Sequence, residues 1–451
     1  TRTKRRGSDS KRTAPKLTCR SMLPPRLEQA LLARTLPLRK HTITFPQLLL
    51  TLPLLILVGC ANTQTMDLSE QALQHRQLRI ADLSDARTTA DARREFYETT
   101  LQEKIIEPLS GEFDPETWGG AFWNAGLMQI NDPIVRDALQ RGMEKLPELD
   151  SRMQEILLRS AHSLYPGEFS ELEWPALEHI DEDKPFAIAV YDILTADNSP
   201  GTRERLMEAT QSQFPDWRKR PRLLALHHRL TTDPRLELKG RPALRDLLAA
   251  PLEESRPVIF SFQRLDRRYP GLAVVRGTDG RFARNEDGSL FAVEQLALSK
   301  TNMPGTITFG NSPEGIYTIR GTGIATNQFI GPTPYLYSKV PYEASVGEFY
   351  HYPDAEEESW SEDLYASFLP SSWKSYRPMY EAWYAGWAGR SEMLCHGTTI
   401  NPAFFEGKSY YPQTPSAGCL ATKEFWNPDD GSLLYSDQLS LVKTFLETGT
   451  D

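Results

Sequence analysis

The sequence predicts an α+β protein of several domains, in which an all-helical N-terminal part is followed by a mainly β C-terminal part. Three observations lead to this prediction. The chain has 451 residues, enough for two or three separate cores. Residues 70–252 are strongly helical in composition, and from Asp114 to about Leu252 apolar helical segments alternate with Pro, Asp and Gly breaks. From about Arg256 onward Gly, Tyr, Phe, Thr and Trp dominate, as is typical of strands joined by turns.

The charge distribution separates a basic N-terminus from an acidic remainder. Residues 1–59 hold 12 of the 51 Lys and Arg residues but 2 of the 60 Asp and Glu residues. Residues 60–451 therefore carry 39 basic and 58 acidic residues, a net charge of −19. Because nucleic-acid binding depends on neutralising phosphates, a part this acidic argues against a nucleic-acid partner.

The basic N-terminus is typical of a targeting segment. Arg39 and Lys40 precede an apolar run over residues 43–58, and the run leads into Leu57-Val58-Gly59-Cys60. This is the pattern of a bacterial lipoprotein signal, and the run is too short and too interrupted by prolines for a comfortable membrane-spanning helix. We expect residues 1–59 to be removed and Cys60 to be lipidated, so that 60–69 form a tether from a bilayer surface. The alternative is an uncleaved N-terminal anchor.

The lipidation signal predicts a location in the bacterial cell envelope, lipid-anchored and facing the periplasm. Ala61 rather than Asp follows Cys60, which favours the outer membrane over the inner one. Once Cys19 is removed and Cys60 is lipidated, Cys395 and Cys419 are the remaining cysteines. In an oxidising compartment, such a pair is either one disulfide or a reactive nucleophile with a bystander.

The helical part contains three similar segments, Arg152–Leu164, Pro185–Leu194 and Arg220–Leu230, whose starts lie 33 and 35 residues apart. Recurrence at this distance predicts stacked helical pairs of the HEAT-like kind, with a plain irregular helical domain as the equal alternative. Ahead of them, the composition of residues 71–109 predicts one long amphipathic helix.

The β part begins with the apolar runs at residues 257–262 and 272–275, which alternate with turn signals. We predict mainly strands from there to about Trp426, and a closing helix over residues 436–447. An acidic stretch at 354–358 adjoins a run of aromatic residues that includes Trp387. These aromatics are predicted to form either a wall that binds a glycan or peptide, or an aromatic core beside a solvated loop.

The stretch that indicates chemistry is Cys395-His396-Gly397-Thr398, followed after a linker by Ser416-Ala417-Gly418-Cys419-Leu420. A thiolate is a strong nucleophile once a base such as histidine takes its proton. The histidine needs a partner that fixes its tautomer, and because Gly397 has no side chain this partner is a backbone carbonyl or a side chain from elsewhere. Gly418 lets the backbone approach a substrate, and the amides of Gly418 and Cys419 are candidate oxyanion donors.

Cys395 has the opposite expectation. It adjoins His396, so on a strand its side chain points to the other face, and we predict that it is a buried core residue. A disulfide between Cys395 and Cys419 is a minor alternative that would silence the nucleophile. The sequence contains no zinc signature, P-loop or dinucleotide motif, so no metal or cofactor is predicted.

The His-Gly-Thr element followed by Ser-x-Gly-Cys and an aliphatic residue resembles the signature of the L,D-transpeptidase (YkuD-like) family. The segment from Asn311 to Ile319 is similar to that family's Thr-Pro-x-Gly-x-Phe/Tyr-x-Ile turn and strand. The resemblance covers about residues 257–451. Ala417 and Ala421 depart from it, because many members have His and Arg at these two positions.

The resemblance implies a catalytic domain of mixed, β-sandwich-like fold that transfers peptidoglycan stem peptides. Cys419 would be the nucleophile, His396 the base, and the backbone of Gly397, Gly418 and Cys419 the donors around the reacting carbonyl. Four further residues are candidates for substrate binding: Ser416, Thr398, Trp387 and Tyr317. Three outcomes stay open, namely a transpeptidase, a carboxypeptidase or amidase that uses water as acceptor, and a non-catalytic lipid-anchored scaffold whose helical part binds an envelope protein.

Overall fold

The computed structural model describes residues 68–250, 256–352, 355 and 358–449. The predicted signal, the lipidation residue Cys60 and most of the tether lie outside the described residues. Within them, a helical N-terminal region precedes a mixed-sheet region, so the α+β prediction is confirmed.

The helical region consists mainly of short to medium α-helices joined by tight turns. In chain order these are α1 Leu68–Gln77, α2 Ala90–Leu101, α3 Glu107–Ser110, α4 Pro115–Met128, α5 Pro133–Met143, α6 Ser151–Leu164, α7 Ser170–Ala176, α8 Asp183–Ala196, α9 Pro200–Gln213, α10 Pro221–Thr231, α11 Pro234–Lys239 and α12 Leu244–Ala249. A π-helical turn, Gln102–Ile106, joins α2 to α3. The helices α6, α8 and α10 correspond to the three recurring segments of the sequence, and Arg220 precedes α10 as its N-cap residue.

Several of these helices begin with proline directly after a capping side chain. Asp132 accepts a hydrogen bond from the Ile134 amide at 2.9 Å before α5, and Ser199 accepts from the Thr202 amide at 3.3 Å before α9. Proline suits the first helical position because its missing N–H would have no partner there. The Asp-Pro and Ser-Pro breaks in the sequence are therefore helix starts as well as helix ends.

Helix α8 lies at the centre of the helical region. Its residues from Pro185 to Leu194 are all buried, and Phe186 and Ile188 are fully inaccessible to solvent. A helix that is apolar on every side can only be stable when it is surrounded by other elements. The same core includes Leu296, Met303 and Phe405, so the helical region and the sheet region share it.

The long helix predicted over residues 71–109 is wrong in its middle. The chain leaves α1 at Gln77 and reaches α2 at Ala90 through two short 3₁₀ turns. This stretch packs on the sheet region: Leu83 is buried against Trp426 and Leu433, and the Leu83 carbonyl accepts from the Leu433 amide at 3.0 Å. Contacts with a distant segment override the local helix propensity here.

The sheet region is built on seven strands in the order β1-β2-β3-β7-β6-β5-β4. The strands of the described chain are β1 Val258–Phe262, β2 Gly271–Arg276, β3 Val293–Leu296, β4 Thr318–Gly323, β5 Tyr335–Lys339, β6 Met393–His396, β7 Leu420–Thr422, β8 Glu424–Trp426 and β9 Leu433–Ser436. The pairs are antiparallel except for β6 and β7, which run parallel, and β8 and β9 form a separate ribbon.

Among the described residues of this region, four α-helices accompany the strands: α13 Val346–Tyr350, α14 Glu362–Ser367, α15 Glu381–Trp387 and α16 Asp437–Thr448. The closing helix is confirmed as α16, whose Leu441 and Val442 pack on one face of the sheet. The prediction of mainly strands is wrong for the described residues between Val346 and Trp387, which contain α-helices and 3₁₀ turns but no strand. Their aromatic residues build a local core, which includes Tyr365, Trp373 and Trp383.

Candidate active site

Strands β6 and β7 bring His396 and Cys419 to one face of the sheet. In their parallel register Cys395 lies opposite Leu420 and His396 lies opposite Ala421. Cys419 therefore stands beside Leu394, whose amide N–H points to its Sγ at 3.4 Å. Because side chains alternate along a strand, Cys419 and His396 share a face as diagonal neighbours. Such neighbours lie roughly 7 Å apart, within reach of an imidazole ring.

His396 is the last residue of β6 and is held in one orientation. Its side chain is 5% exposed, and Nδ1 lies 2.5 Å from the carbonyl oxygen of Gly397. Nδ1 must carry the proton to donate to this carbonyl, so the lone pair of neutral His396 is on Nε2. Burial lowers the pKa of His396, against a smaller opposing effect of the Gly397 hydrogen bond. The imidazole is thus neutral at pH 7 and able to accept a proton.

Gly397 has a second role because the Glu424 carboxyl packs directly against its Cα. A Cβ at this position would overlap that carboxyl group. Glu424 accepts from the Thr398 amide at 2.8 Å and from Ser436 Oγ at 2.7 Å. Burial raises the pKa of Glu424 to about 7, although these hydrogen bonds oppose the shift. The buried carboxyl therefore fixes the turn that supplies the carbonyl partner of His396.

The loop before Cys419 is closed by its own hydrogen bonds. Gly418 has a φ of 126°, a conformation that favours glycine. Its amide donates to Ser416 Oγ at 2.9 Å, and Ser416 Oγ donates to the Cys419 carbonyl at 2.7 Å. The expectation that the Gly418 amide is an oxyanion donor is therefore wrong in this conformation, because Ser416 already occupies it. Ser416 is 4% exposed and shapes the loop instead of contacting a substrate.

Arg390, which the sequence did not indicate as a site residue, also donates hydrogen bonds to this loop. Its side chain is 4% exposed and donates to the Gly418 carbonyl at 3.2 Å and to the Gly310 carbonyl at 2.6 Å. A Cβ on Gly418 would overlap this guanidinium, which is a further reason for glycine there. Arg390 stands 28 residues before Gly418 and belongs to no recognisable motif. At position 421, where many members of the family that the sequence resembles have arginine, this chain has alanine. Here an arginine from another segment, Arg390, contacts the loop.

The upstream turn also reaches the cysteine loop. Ser312 Oγ donates to the Gly418 carbonyl at 2.9 Å, and the Asn311 carbonyl accepts from Arg390 at 2.8 Å. Tyr317 follows, partly buried, with its hydroxyl donating to the Pro313 carbonyl at 2.5 Å. The two sequence elements that carry the resemblance are therefore adjacent in space, while the Tyr317 hydroxyl already has a protein partner.

Two of the predicted substrate contacts have different surroundings. Thr398 is 5% exposed and accepts from the Ile400 amide at 3.1 Å and from Thr414 Oγ1 at 2.9 Å, so it is a structural residue and not a substrate contact. Trp387 is 38% exposed and stacks on Tyr342, with ring centroids 6.4 Å apart. Most of the aromatic run is core, as in the alternative prediction, but this pair remains open to a ligand.

The exposed aromatic pair is linked to the nucleophile through two glutamates. Glu343, the residue after Tyr342, accepts from the Glu392 amide at 2.8 Å. The Glu392 carbonyl in turn lies 3.5 Å from Cys419 Sγ. Glu392 has a φ of 59°, which is unusual for a residue with a side chain. These contacts connect the segment that carries Tyr342 to the loop that carries Cys419.

Cys395 lies on the opposite face, as predicted. It is 6% exposed, and both it and Cys419 are free thiols, so the disulfide alternative is wrong for this structure. Cys395 Sγ accepts from Gln295 Nε2 at 3.1 Å and lies 3.5 Å from Gln438 Oε1. Burial raises the pKa of Cys395 to about 12. This thiol therefore stays protonated at pH 7.

A pocket of about 2360 Å³ is lined by residues of both the helical region and the sheet region. Its lining includes Cys395 and Leu420 but neither Cys419 nor His396. Cys419 and His396 therefore lie outside this pocket. In the part of the chain that the structure describes, no helix is long and apolar enough to cross a membrane. Among those residues, no three His, Cys, Asp or Glu side chains are grouped for metal binding.

Comparison of the chain with protein-family models, with curated proteins and with solved structures finds no match. The geometry of the site therefore carries the functional argument. A partly exposed thiol, a buried neutral histidine with a fixed tautomer, and a loop of constrained peptides together fit nucleophilic acyl transfer.

Proposed function

We propose that this protein is a cysteine-dependent acyltransferase of the L,D-transpeptidase type, which acts on peptidoglycan stem peptides. The observation that carries the proposal is the placement of Cys419 and His396 on one face of two parallel strands, with His396 Nδ1 bound to the Gly397 carbonyl. The substrate class comes from the sequence resemblance, while the reaction type also follows from these side chains.

In the first half-reaction, Cys419 loses its proton to Nε2 of His396 and the thiolate attacks the carbonyl carbon of an L-to-D peptide bond. The electron pair of the carbonyl moves to oxygen, where the Cys419 amide N–H is the backbone donor that can stabilise it. The tetrahedral species collapses, and His396 gives its proton to the departing D-residue amine. The product is a thioester on Cys419 and a free terminal residue.

In the second half-reaction, an amine attacks the thioester carbonyl and His396 takes the proton of that amine. The thiolate then leaves and is protonated again, so the enzyme returns to its starting state. An amine from a second stem gives a cross-link, whereas water in the same position gives hydrolysis. The transpeptidase and the carboxypeptidase differ in which acceptor reaches the thioester.

The other parts of the chain fit an envelope location in this proposal. Lipidated Cys60 would anchor the protein to the outer membrane, and residues 60–69 would tether the folded part in the periplasm. Helices α6, α8 and α10, which pack in succession, would form a HEAT-like surface for an envelope protein partner. The sheet region would be the catalytic domain.

Incubation of the purified protein with muropeptides that carry tetrapeptide stems, followed by mass spectrometry, tests the proposal. We expect cross-linked dimers with the wild type and none with Cys419→Ala, while Cys395→Ala keeps the activity. Loss of the terminal residue without dimers would replace the transpeptidase by the carboxypeptidase. No product of either kind would contradict the proposed function and favour the non-catalytic scaffold.

A further inference from the structure

A single buried arginine organises the backbone around the nucleophile. Arg390 donates to five carbonyl oxygens, those of Gly305, Ile307, Gly310, Asn311 and Gly418. Four of them belong to the loop between β3 and β4, and the fifth belongs to the residue directly before Cys419. The guanidinium thus joins two loops that are far apart in the sequence.

Nothing in its surroundings explains this arginine as an ordinary ion pair. Among the described residues, no carboxylate lies within salt-bridge distance of Arg390. A buried cation bound only to backbone carbonyls is costly, because it loses its hydration without gaining a neutralising partner. Such a group is expected where its charge has a use. Burial lowers the pKa of Arg390, and attraction to Tyr317, Cys419 and Glu381 opposes this shift.

The contact with Gly418 determines the orientation of one peptide. The Gly418 carbonyl accepts from Arg390 Nη2 at 3.2 Å and from Ser312 Oγ at 2.9 Å. In a trans peptide the C=O and N–H bonds point in opposite directions. Two donors on the Gly418 oxygen therefore direct the Cys419 N–H away from Arg390 and Ser312. A cation on the oxygen side also polarises the peptide, which makes this N–H a stronger donor.

We propose that Arg390 is the positioning residue of the oxyanion hole, which fixes and polarises the Gly418–Cys419 peptide so that the Cys419 amide stabilises the tetrahedral oxyanion. This inference rests on the proposed function. Arg390 should affect only reactions that create an oxyanion. The Gly418–Cys419 peptide belongs to the Ser-x-Gly-Cys motif, but Arg390 and Ser312, which donate to its carbonyl, lie outside that motif. The role requires a delocalised, branched donor, which lysine supplies only in part.

The test compares two reactions of the same thiol. A carbapenem acylates Cys419 through attack on a strained β-lactam carbonyl, which creates an oxyanion. Iodoacetamide alkylates the thiol by displacement of iodide, which creates none. The ratio of the two rates therefore isolates the oxyanion hole from the reactivity of the thiol.

In Arg390→Met we expect acylation to fall about 10²-fold, the typical effect of losing one oxyanion donor, and alkylation to fall much less. Because the cation is gone, the midpoint of the alkylation pH profile should move to higher pH. Arg390→Lys should recover part of the acylation rate. The matched control is Arg276→Met, which removes another buried guanidinium that donates to backbone carbonyls, those of Leu248 and Ala250. This control should leave the ratio unchanged.

A wild-type ratio in folded Arg390→Met would overturn the role of Arg390 while leaving the proposed function intact. If Arg390→Met does not fold, Ser312→Ala removes the other donor to the Gly418 carbonyl and should lower the ratio several-fold; an unchanged ratio there would equally overturn the inference. Failure of the carbapenem to acylate the wild type, with alkylation preserved, would instead refute the proposed function and with it the oxyanion hole.

Discussion

Cys395 and Cys419 lie on neighbouring strands but on opposite faces of the sheet, and the two faces have opposite chemistry. Cys395 is covered by helix α16 and held between Gln295 and Gln438, and burial raises its pKa to about 12. Cys419 is partly exposed and shares its face with the neutral imidazole of His396. Cys395 is next to His396 in the sequence, but strand alternation places its side chain on the opposite face. Cys419 lies on the same face as His396. In the proposed function, the face of the sheet and not the spacing along the chain decides which thiol reacts.

The silent face, which carries Cys395, also supports the reactive face, which carries Cys419 and His396. Gln438 of α16 donates to the Cys395 carbonyl at 2.8 Å and to the Pro334 carbonyl at 3.0 Å. Its Oε1 accepts from Thr422 Oγ1 of β7 at 2.8 Å. One buried amide therefore connects the strands that carry His396 and Cys419, so the packing of α16 contributes to the geometry of the site.

The largest effect should come from removing the base on the reactive face. We expect His396→Ala to slow acylation of Cys419 by a carbapenem about 10²–10⁴-fold, because the variant lacks the general base that accepts the thiol proton in the proposed mechanism. Single-turnover mass spectrometry measures this rate. His75→Ala removes another buried histidine, one hydrogen-bonded to Thr322, and should leave the rate unchanged. Equal rates in wild type and His396→Ala would show that His396 is only a structural residue.

The next effect concerns the silent face. Gln438→Leu leaves the Cys395 and Pro334 carbonyls without their donor, and we expect a loss of about 2–4 kcal/mol in the free energy of unfolding. Urea denaturation followed by fluorescence measures the change. Gln140→Ala, which removes an exposed side-chain contact with Glu144, should change the stability by less than about 0.5 kcal/mol. A Gln438→Leu variant as stable as the wild type would mean that the two faces are independent.

A pH dependence should follow from Glu424. Its folded pKa, about 7, lies above the unfolded value, so the protonated form is favoured by folding. The stability that it contributes is complete below the unfolded pKa and is lost as the pH rises through about 7. We expect the wild type to lose on the order of 2 kcal/mol between pH 5 and pH 8 relative to Glu424→Gln. The free energy of unfolding must be measured against pH for both proteins and the two curves subtracted. Asp437, whose pKa is also raised, lies beside Glu424 and titrates in both proteins.

The smallest effect should come from the exposed aromatic pair. If Trp387 stacks on a substrate ring or peptide, Trp387→Ala should raise the KM for muropeptides about 3–10-fold, as expected for the loss of one stacking contact. Acylation by a small carbapenem should not change, because such a drug lacks the glycan and the stem peptide that Trp387 would contact. Steady-state kinetics with both substrates separates the two cases. A fall in both rates would place Trp387 in the support of the loop instead.

Local pattern was sufficient for the elements whose neighbours lie close in sequence. Helices α6, α8, α10 and α16 agree with their predicted segments to within a few residues, since apolar periodicity and Pro breaks mark them. The opposite orientation of Cys395 followed from strand alternation alone. In each of these cases, residues close together in the sequence were sufficient to predict the structure.

Long-range contacts account for what the sequence could not indicate. Residues 78–89 leave the helix because Leu83 joins a core with Trp426 and Leu433. Ser416 and Thr398 lie in the right motifs, yet their hydroxyls are used by neighbouring backbone and side chains. Arg390 has no local signal at all, because its five acceptors are carbonyls that only the fold brings together.

The most direct test of the central claim is to map the carbapenem adduct on the reduced, folded protein by peptide mass spectrometry. One adduct on Cys419 and none on Cys395 is the expected result, with the adduct lost in Cys419→Ala and retained in Cys395→Ala. An adduct on Cys395, or no adduct on either thiol, would contradict the assignment of the reactive face.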